Sequence, residues 1–127
     1  MSAVAQAIPL VPAALRFMGE SDSAFWQIAD ELAAQVSPWV TQGVSVLDFG
    51  CGYGRLAYGL ARRGFVGGYL GVDVLARHVN WLASNFAPRA GGNYRFVRLD
   101  LHSGRYNPQG KRPGEIDFGI DNGSLDC

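Results

Sequence analysis

Residues 44–57, which read VSVLDFGCGYGRLA, constrain the fold of this chain more than any other stretch. An apolar run of strand-forming residues ends at an acid, and three glycines in alternate positions follow it. Glycine adopts positive φ angles that other residues avoid, and without a Cβ it lets a ligand lie against the main chain. A helical pattern then runs to Gly64, which suits a C-cap. Strand, glycine turn and helix in this order predict the first unit of a nucleotide-binding α/β fold, with the strand buried between helices on both faces.

The spacing of the glycines narrows the class of nucleotide. The dinucleotide fingerprint has glycine at its first, third and sixth positions, the last one so that helix and strand can pack closely. Counted from Gly50, the sixth position is Arg55, a bulky cation. What stands here instead is acid-x-G-x-G-x-G, from Asp48 through Gly52 to Gly54. This pattern resembles the first motif of class I S-adenosylmethionine-dependent methyltransferases.

The resemblance implies how this turn would hold the methionine end of S-adenosylmethionine. Asp48 would hold that end directly or through water, and the glycines would give it close backbone contact. The predicted cofactor-binding residues of the turn are Asp48, Gly50, Cys51, Gly52 and Gly54. We interpret Cys51 as a small loop residue whose backbone matters more than its sulfur, with a reactive thiol as the alternative.

A second predicted strand, within residues 67–74, also ends in an acid. Asp73 follows Gly54 at close to the ~20 residues expected for an acid that accepts hydrogen bonds from ribose hydroxyls. Its carboxylate offers two oxygens, which match the vicinal 2′ and 3′ hydroxyls. An acid that merely caps the next helix is the alternative, and the two roles are compatible. The resemblance implies in addition that Val74 packs on the adenine face.

A third predicted strand, residues 94–100, ends at Asp100 and is followed by Leu101. In methyltransferases of this class an acid at this place accepts a hydrogen bond from the adenine amino group, and the next residue borders the ring. The resemblance implies these roles for Asp100 and Leu101. Ligands of open α/β sheets bind outside the carboxyl ends of the strands, so Asp48, Asp73 and Asp100 are predicted to converge on one crevice.

The predicted fold class is therefore α/β, a Rossmann-like open, mostly parallel sheet with flanking helices. The resemblance implies strands 3-2-1 of a class I methyltransferase fold, which is incomplete here. We predict a single, incomplete domain over residues 1–127, with an N-terminal lead-in and helix in 1–43 and the cofactor-binding half of the sheet in 44–127. Residues 118–126 resemble the lead into a fourth strand of that fold.

The first strand is central in the complete fold but would lie at an edge here. Its unpaired backbone and apolar surface would then be an aggregation liability. We therefore expect this chain alone to be marginally stable, to self-associate through the first strand, or to be a piece of a longer product.

Two further helices are predicted from apolar periodicity. One follows an extended lead-in over residues 1–20, begins at a cap among Ser21, Asp22 and Ser23, and ends before Pro38. The other runs over residues 75–86. Its predicted sheet-facing residues are Leu75, Val79, Leu82, Ala83 and Phe86.

Two tryptophans and two histidines are candidates for a ligand site. We interpret Trp26 and Trp39 as core residues, with a place in a ligand pocket as the alternative. His78 and His102 have no ligand spacing to each other or to the cysteines, so no metal site is predicted. A structural or solvated histidine is the favoured interpretation of both, and a general base is the alternative.

Composition excludes several classes of partner. Eleven basic and eleven acidic residues balance, so nothing indicates bulk attraction to nucleic acid or to membranes. The apolar N-terminal run lacks a charged n-region and is interrupted by Pro9 and Pro12. It is not a convincing signal peptide or membrane span, and a cytoplasmic location is the default. The two cysteines do not form a disulfide framework.

The resemblance implies an enzyme that binds S-adenosylmethionine and transfers its methyl group, by in-line displacement, to a small-molecule acceptor. No catalytic base is assigned. One alternative is an NAD-dependent oxidoreductase, which shares the strand-and-acid geometry, although Arg55 argues against it. A second is a non-catalytic fragment that keeps only the cofactor-binding half. A third is a related enzyme that uses the same pocket for another transfer, such as aminopropyl transfer.

Overall fold

The computed structural model describes residues 8–91, 93–103 and 108–111 of the 127-residue chain. Two 3₁₀ turns, Ala13–Leu15 and Phe17–Gly19, precede the first helix. Strands and helices then alternate, as expected for an α/β fold. In chain order they are α1 (Asp22–Val36), β1 (Ser45–Phe49), α2 (Arg55–Arg62), β2 (Gly68–Asp73), α3 (Ala76–Trp81) and β3 (Asn93–Arg98). The residues that resemble the lead into a fourth strand, 118–126, lie outside the described residues.

The three strands form one parallel sheet in the order β1-β2-β3. Val46 pairs with Tyr69, and Tyr69 pairs with Tyr94, so these three side chains lie on the same face. α2 connects the first pair of strands and α3 connects the second, as parallel pairing requires. The sheet confirms the predicted fold class and the strand order 3-2-1. Among the described residues β1 pairs with β2 alone, and self-association through its other edge stays a prediction.

The main core lies on the sheet face that carries Val46, Tyr69 and Tyr94. All three helices contribute buried side chains to it, and aromatic rings meet edge to face at its centre. A smaller apolar cluster on the opposite face is formed by Leu70, Val72 and Leu99, with Leu47 and Leu101 packed against it. No helix within the described part of the chain covers that face. Phe49, which the sequence predicts to be buried, is accordingly 61% exposed.

α1 begins and ends as its sequence predicts. The side chain of Ser21 accepts a hydrogen bond from the Ala24 N–H at 3.2 Å, which makes it the N-cap. The helix ends at Val36, two residues before Pro38. Phe25, Ala29 and Ala33 form its buried face. Phe25 fills the core, whereas the small side chains of Ala29 and Ala33 let another helix approach α1 closely.

The C-terminal end of α3 differs from the sequence prediction. α3 stops at Trp81 and the chain continues as a wider π-type turn, Leu82–Phe86. This turn keeps Leu82 and Phe86 buried but leaves Ala83 exposed, so the prediction that Ala83 faces the sheet is wrong. The prediction fails because a π-type turn holds more residues than an α-helical turn and so rotates side chains out of α-helical register.

Within the described residues, no helix is long and apolar enough to cross a membrane. The same residues contain no cluster of three or more His, Cys, Asp or Glu side chains that could hold a metal ion.

The close packing of α1 on α2 depends on Gly59. A Cβ built there overlaps the carbonyl oxygen of Ala29 and lies 2.9 Å from the Cβ of Ala33. Alanine ordinarily stabilises a helix interior by ~1 kcal/mol relative to glycine. We expect the opposite for Gly59→Ala, a loss of ~1–3 kcal/mol in the free energy of unfolding measured with urea, because the helices must separate. Gln35→Ala, on the exposed side of α1, is the control and should change this value by less than ~0.5 kcal/mol. A Gly59→Ala variant as stable as the control would contradict the observed helix packing.

Candidate functional site

A cavity of about 710 Å³ lies at the carboxyl ends of the strands. This volume is typical of small-molecule sites. Its walls come from the turn after β1, the end of β2 with the first turn of α3, the segment after β3, and residues 14–18 ahead of α1. The three strand ends thus meet at one crevice, but of the three acids that the sequence predicts to converge there only Asp73 lines it.

The glycine turn after β1 is held against the end of β2 by backbone hydrogen bonds. The carbonyl oxygen of Val72 accepts from the N–H groups of both Gly50 and Cys51, at 2.8 and 2.9 Å. Gly50 and Gly52 have φ angles of 81° and 58°, a region that other residues rarely adopt. A Cβ built at either glycine meets no atom within 4 Å. Both glycines line the cavity, so their missing side chains leave that space open to a ligand.

Gly54 has a different task from the two glycines before it. It is buried, and a Cβ there would lie 2.8 Å from the Cδ2 atom of Leu82. Its φ is 93°, and it is the N-cap of α2. Gly54 lies outside the residues that line the cavity, and it lets α2 start close to the turn that follows α3.

Asp73 joins the two turns that form the floor of the cavity. Its Oδ2 accepts from the Gly52 N–H at 2.8 Å and its Oδ1 accepts from the Leu75 N–H at 3.0 Å. The side chain lines the cavity and is partly exposed there. Each carboxylate oxygen can accept a further hydrogen bond. Supporting the next turn and offering oxygens to a ribose are therefore compatible in this geometry.

Asp48 and Asp100, the acids of the other two strands, do not line the cavity. Asp48 lies on the sheet face that packs against the helices, where the Tyr69 hydroxyl donates to its Oδ2 at 2.5 Å. Burial raises the pKa of Asp48; the Tyr69 hydrogen bond opposes this, and the Asp73 charge adds to it. Asp100 lies beyond the end of β3, with its Oδ1 3.5 Å from Nη2 of Arg98. Their cofactor contacts stay predictions, whereas Leu101 does line the cavity.

Cys51 is buried behind the glycine turn. Burial raises the pKa of its thiol well above the usual range, and the charges of Asp48 and Asp73 raise it further. The thiol therefore stays protonated at neutral pH and is a poor nucleophile. The interpretation of Cys51 as a small loop residue agrees with this geometry.

Residues 14–18 cover the cavity, and we call this segment the roof. The sequence predicts it to be part of an extended lead-in. The buried Arg16 holds it through three hydrogen bonds, to the carbonyl oxygens of Val11 and Glu20 at 2.8 and 2.7 Å and to Oδ1 of Asp22 at 2.7 Å. Phe17 and Met18 lie between these anchors at the cavity rim. Their side chains are 66% and 89% exposed.

The roof is also tied to the glycine turn. The Tyr53 hydroxyl donates to Oε1 of Glu20 at 3.1 Å, and Nη1 of Arg55 lies 3.4 Å from its Oε2. The guanidinium of Arg55 lies over the Tyr53 ring. Arg55, which stands where the dinucleotide fingerprint has glycine, therefore helps to hold the N-terminal segment above the cavity.

Comparison with known proteins decides the family. A model described as a methyltransferase domain matches residues 46–112, just over half of the chain. The chain belongs to the methyltransferase domain family. This confirms the predicted class, a class I S-adenosylmethionine-dependent methyltransferase.

A curated relative of this methyltransferase domain is the protein-lysine N-methyltransferase EFM4 of Saccharomyces cerevisiae, which is 34% identical over 90 residues. The match covers 69% of this chain and 37% of the relative. The chain thus spans little more than a third of the length of that relative.

The tryptophans and His78 differ in their relation to the cavity. Trp39 is 70% exposed, so its assignment to the core is wrong, and neither Trp39 nor the half-buried Trp26 lines the cavity. His78 does line it, on the first turn of α3, and is buried. The position of residues 14–18 above the cavity depends on contacts of Glu20 that are distant in sequence, with Tyr53 and Arg55.

The shifted pKa of Asp48 predicts a pH dependence of stability. Because this pKa is raised in the folded state from its ordinary value of 3.8, its contribution to stability is complete below that value. It is lost as the pH rises through the folded-state pKa. Asp48→Asn cannot ionise, so its free energy of unfolding should rise relative to that of the unmodified protein as the pH rises above the ordinary Asp value of 3.8. Urea unfolding at several pH values measures this difference, with Glu31→Gln as the control for net charge. A difference that stays constant with pH would contradict the assignment.

Proposed function

We propose that this cavity binds S-adenosylmethionine and that the chain forms the cofactor-binding part of a methyltransferase. The observation that carries the proposal is the arrangement of Asp73 and the open glycine turn on one cavity. Family membership supports the same cofactor in general.

The residues present fit the three parts of this cofactor. Val74, Leu99 and Leu101 give the cavity apolar walls on which an adenine ring can pack. Asp73 has lone pairs free for ribose hydroxyls, and the space left open at Gly50 and Gly52 suits the methionine end. Binding of NAD, the alternative, is less well supported. The dinucleotide fingerprint needs glycine at position 55, where Arg55 contacts Glu20 and Tyr53.

When bound, S-adenosylmethionine supplies a methyl group on a sulfonium, which is already a strong electrophile. The task left to this chain is orientation, since holding two reactants in place lowers a barrier by up to ~7–11 kcal/mol in favourable cases. The backbone of the glycine turn, Asp73 and the roof would bind and orient the cofactor and exclude water. We assign no general base.

The acceptor that we propose is a lysine side chain of a protein, rather than the small molecule expected from the sequence. The yeast relative EFM4 is a protein-lysine N-methyltransferase. The cavity rim also carries exposed apolar side chains, Phe17, Met18 and Phe49. Such a rim suits the methylene stem of lysine, which packs on apolar surface while its amine reaches further in.

Binding of the cofactor is tested by thermal unfolding with S-adenosylmethionine, S-adenosylhomocysteine and NAD in separate samples. Either adenosyl sulfur compound, at ~100 times its dissociation constant, should stabilise the protein by ~2.7 kcal/mol. Asp73→Asn should weaken their binding by about tenfold or more, because an amide nitrogen cannot accept hydrogen bonds. Asp30→Asn on α1 is the matched control. Stabilisation by NAD alone would contradict the proposal.

The acceptor is tested with methyl-labelled S-adenosylmethionine and a cell extract separated into proteins and small molecules. We expect label in the protein fraction, and none when the lysines of the extract have first been acetylated, which converts each amine to a non-nucleophilic amide. Label in the small-molecule fraction alone would contradict a lysine acceptor. Binding without any transfer would instead support a non-catalytic, cofactor-binding chain.

A further inference from the structure

Glu20 is a largely buried acid whose carboxylate is bound by the glycine turn and by the start of α2. It stands two residues after Met18 of the roof, and its side chain is 13% exposed. Its Oε1 accepts from the Tyr53 hydroxyl at 3.1 Å, and its Oε2 lies 3.4 Å from Nη1 of Arg55. A carboxylate removed from water is costly unless hydrogen bonds and an opposite charge compensate it. The position of Glu20 therefore depends on these two partners.

Tyr53 connects Glu20 to the floor of the cavity. It follows Gly52, whose N–H is fixed by Asp73, and it lines the cavity itself. Burial raises the pKa of Tyr53 above its ordinary value of 10, so the hydroxyl keeps its proton and donates to Glu20. The backbone of Phe17 in the roof faces the same hydroxyl. The phenol of Tyr53 thus reaches from the glycine turn to the segment that covers the cavity.

The other hydrogen bonds of this N-terminal segment are mostly local. Four N–H groups within residues 15–20 donate to carbonyl oxygens three positions earlier, and Arg16 donates to the carbonyl oxygens of Val11 and Glu20. These bonds set the shape of the segment but not its distance from the glycine turn. The contacts of Glu20 with Tyr53 and Arg55 span 33 and 35 positions of sequence, and they join the segment to that turn.

We infer that Glu20 is a positioning residue, which acts through Tyr53 and Arg55 to couple the placement of the roof to occupancy of the glycine turn. The inference rests on the proposed function, in which this turn holds the methionine end of S-adenosylmethionine. A ligand that orders the turn also orders both partners of Glu20 and so favours the state in which the roof is held. Phe17 and Met18 are then in place at the rim when the cofactor is bound. Because such coupling is reciprocal, the acceptor binds the cofactor-loaded chain more tightly than the empty one.

Hydrogen exchange of the four bonded N–H groups within residues 15–20 measures this coupling. It is followed without ligand and with S-adenosylhomocysteine at ~100 times the dissociation constant that calorimetry gives for each protein. The proteins are the unmodified chain, Glu20→Ala, Glu20→Gln and, as a control, Glu31→Ala, which changes an exposed acid on α1. The amides of β2 are the internal reference, since unchanged exchange there in the unliganded variants shows that the sheet is intact.

We expect S-adenosylhomocysteine to slow the exchange of these four groups about tenfold in the unmodified chain, which corresponds to ~1.4 kcal/mol. In Glu20→Ala their exchange without ligand should be about tenfold faster, and saturation with the ligand should restore little protection. Glu20→Gln keeps an oxygen for the Tyr53 hydroxyl but loses the charge that attracts Arg55, so it should lie between the two. Glu31→Ala should behave as the unmodified chain does.

Two results would overturn the inference while leaving the proposed function intact. One is equal slowing by the ligand in Glu20→Ala and in the unmodified chain, because the ligand would then hold the roof without Glu20. The other is an unmodified chain that binds S-adenosylhomocysteine without any slowing of these groups. If Glu20→Ala also exchanges faster in β2, the same comparison is decided with Glu20→Gln. If the unmodified chain does not bind the ligand, the proposed function itself fails, and the inference fails with it.

Discussion

The site depends on hydrogen bonds that the end of β2 makes to the turns on either side. The Val72 carbonyl accepts from Gly50 and Cys51, and the Asp73 carboxylate accepts from Gly52 and Leu75. A carboxylate that accepts backbone N–H groups forms charge-assisted bonds, which are stronger than neutral ones. The shape of the cavity floor is therefore set by two consecutive residues of the central described strand, which anchor the glycine-rich turn after β1 at three backbone N–H groups.

The N-terminal segment that forms the roof is held differently, because its backbone carbonyl groups accept hydrogen bonds from side chains. Arg16 satisfies carbonyl groups of an irregular segment, and the Tyr58 hydroxyl donates to the Pro9 carbonyl at 2.6 Å across 49 positions of sequence. Between these anchors Met18 has a φ of 53°, an uncommon angle for a residue other than glycine. The hydrogen bonds of Arg16 therefore fix the backbone on both sides of Phe17 and Met18, whose apolar side chains stay exposed at the cavity rim.

Much of the fold can be predicted from the sequence, because the patterns that indicate each strand, turn and helix lie within a few neighbouring residues. A glycine turn between an apolar run and a helical pattern predicts β1 and α2, and Asp73, the predicted acid, is the last residue of β2. The position of the roof above the cavity could not be predicted, since the contacts of Glu20 with Tyr53 and Arg55 that tie it to the glycine turn join residues far apart in the chain. The face occupied by Asp48 was predictable, because it lies two residues after the buried Val46 and side chains alternate along a strand. The position of His78 at the cavity could not be predicted, because metal-ligand spacing in the sequence gives no information on which side chains line a cavity.

The contact between Tyr69 and Asp48 shows how one glycine within a strand affects the turn beyond it. Tyr69 pairs with Val46 in the sheet, whereas Asp48 pairs with Gly71, two residues further along the same face. A Cβ at Gly71 would lie 3.0 Å from the Tyr69 ring and 3.1 Å from the Cys51 sulfur. The space left by Gly71 therefore lets the phenol lean along the strand to reach the carboxylate. Because the hydroxyl bond offsets part of the cost of burying Asp48, this glycine helps an acid to remain directly before the turn that borders the cavity.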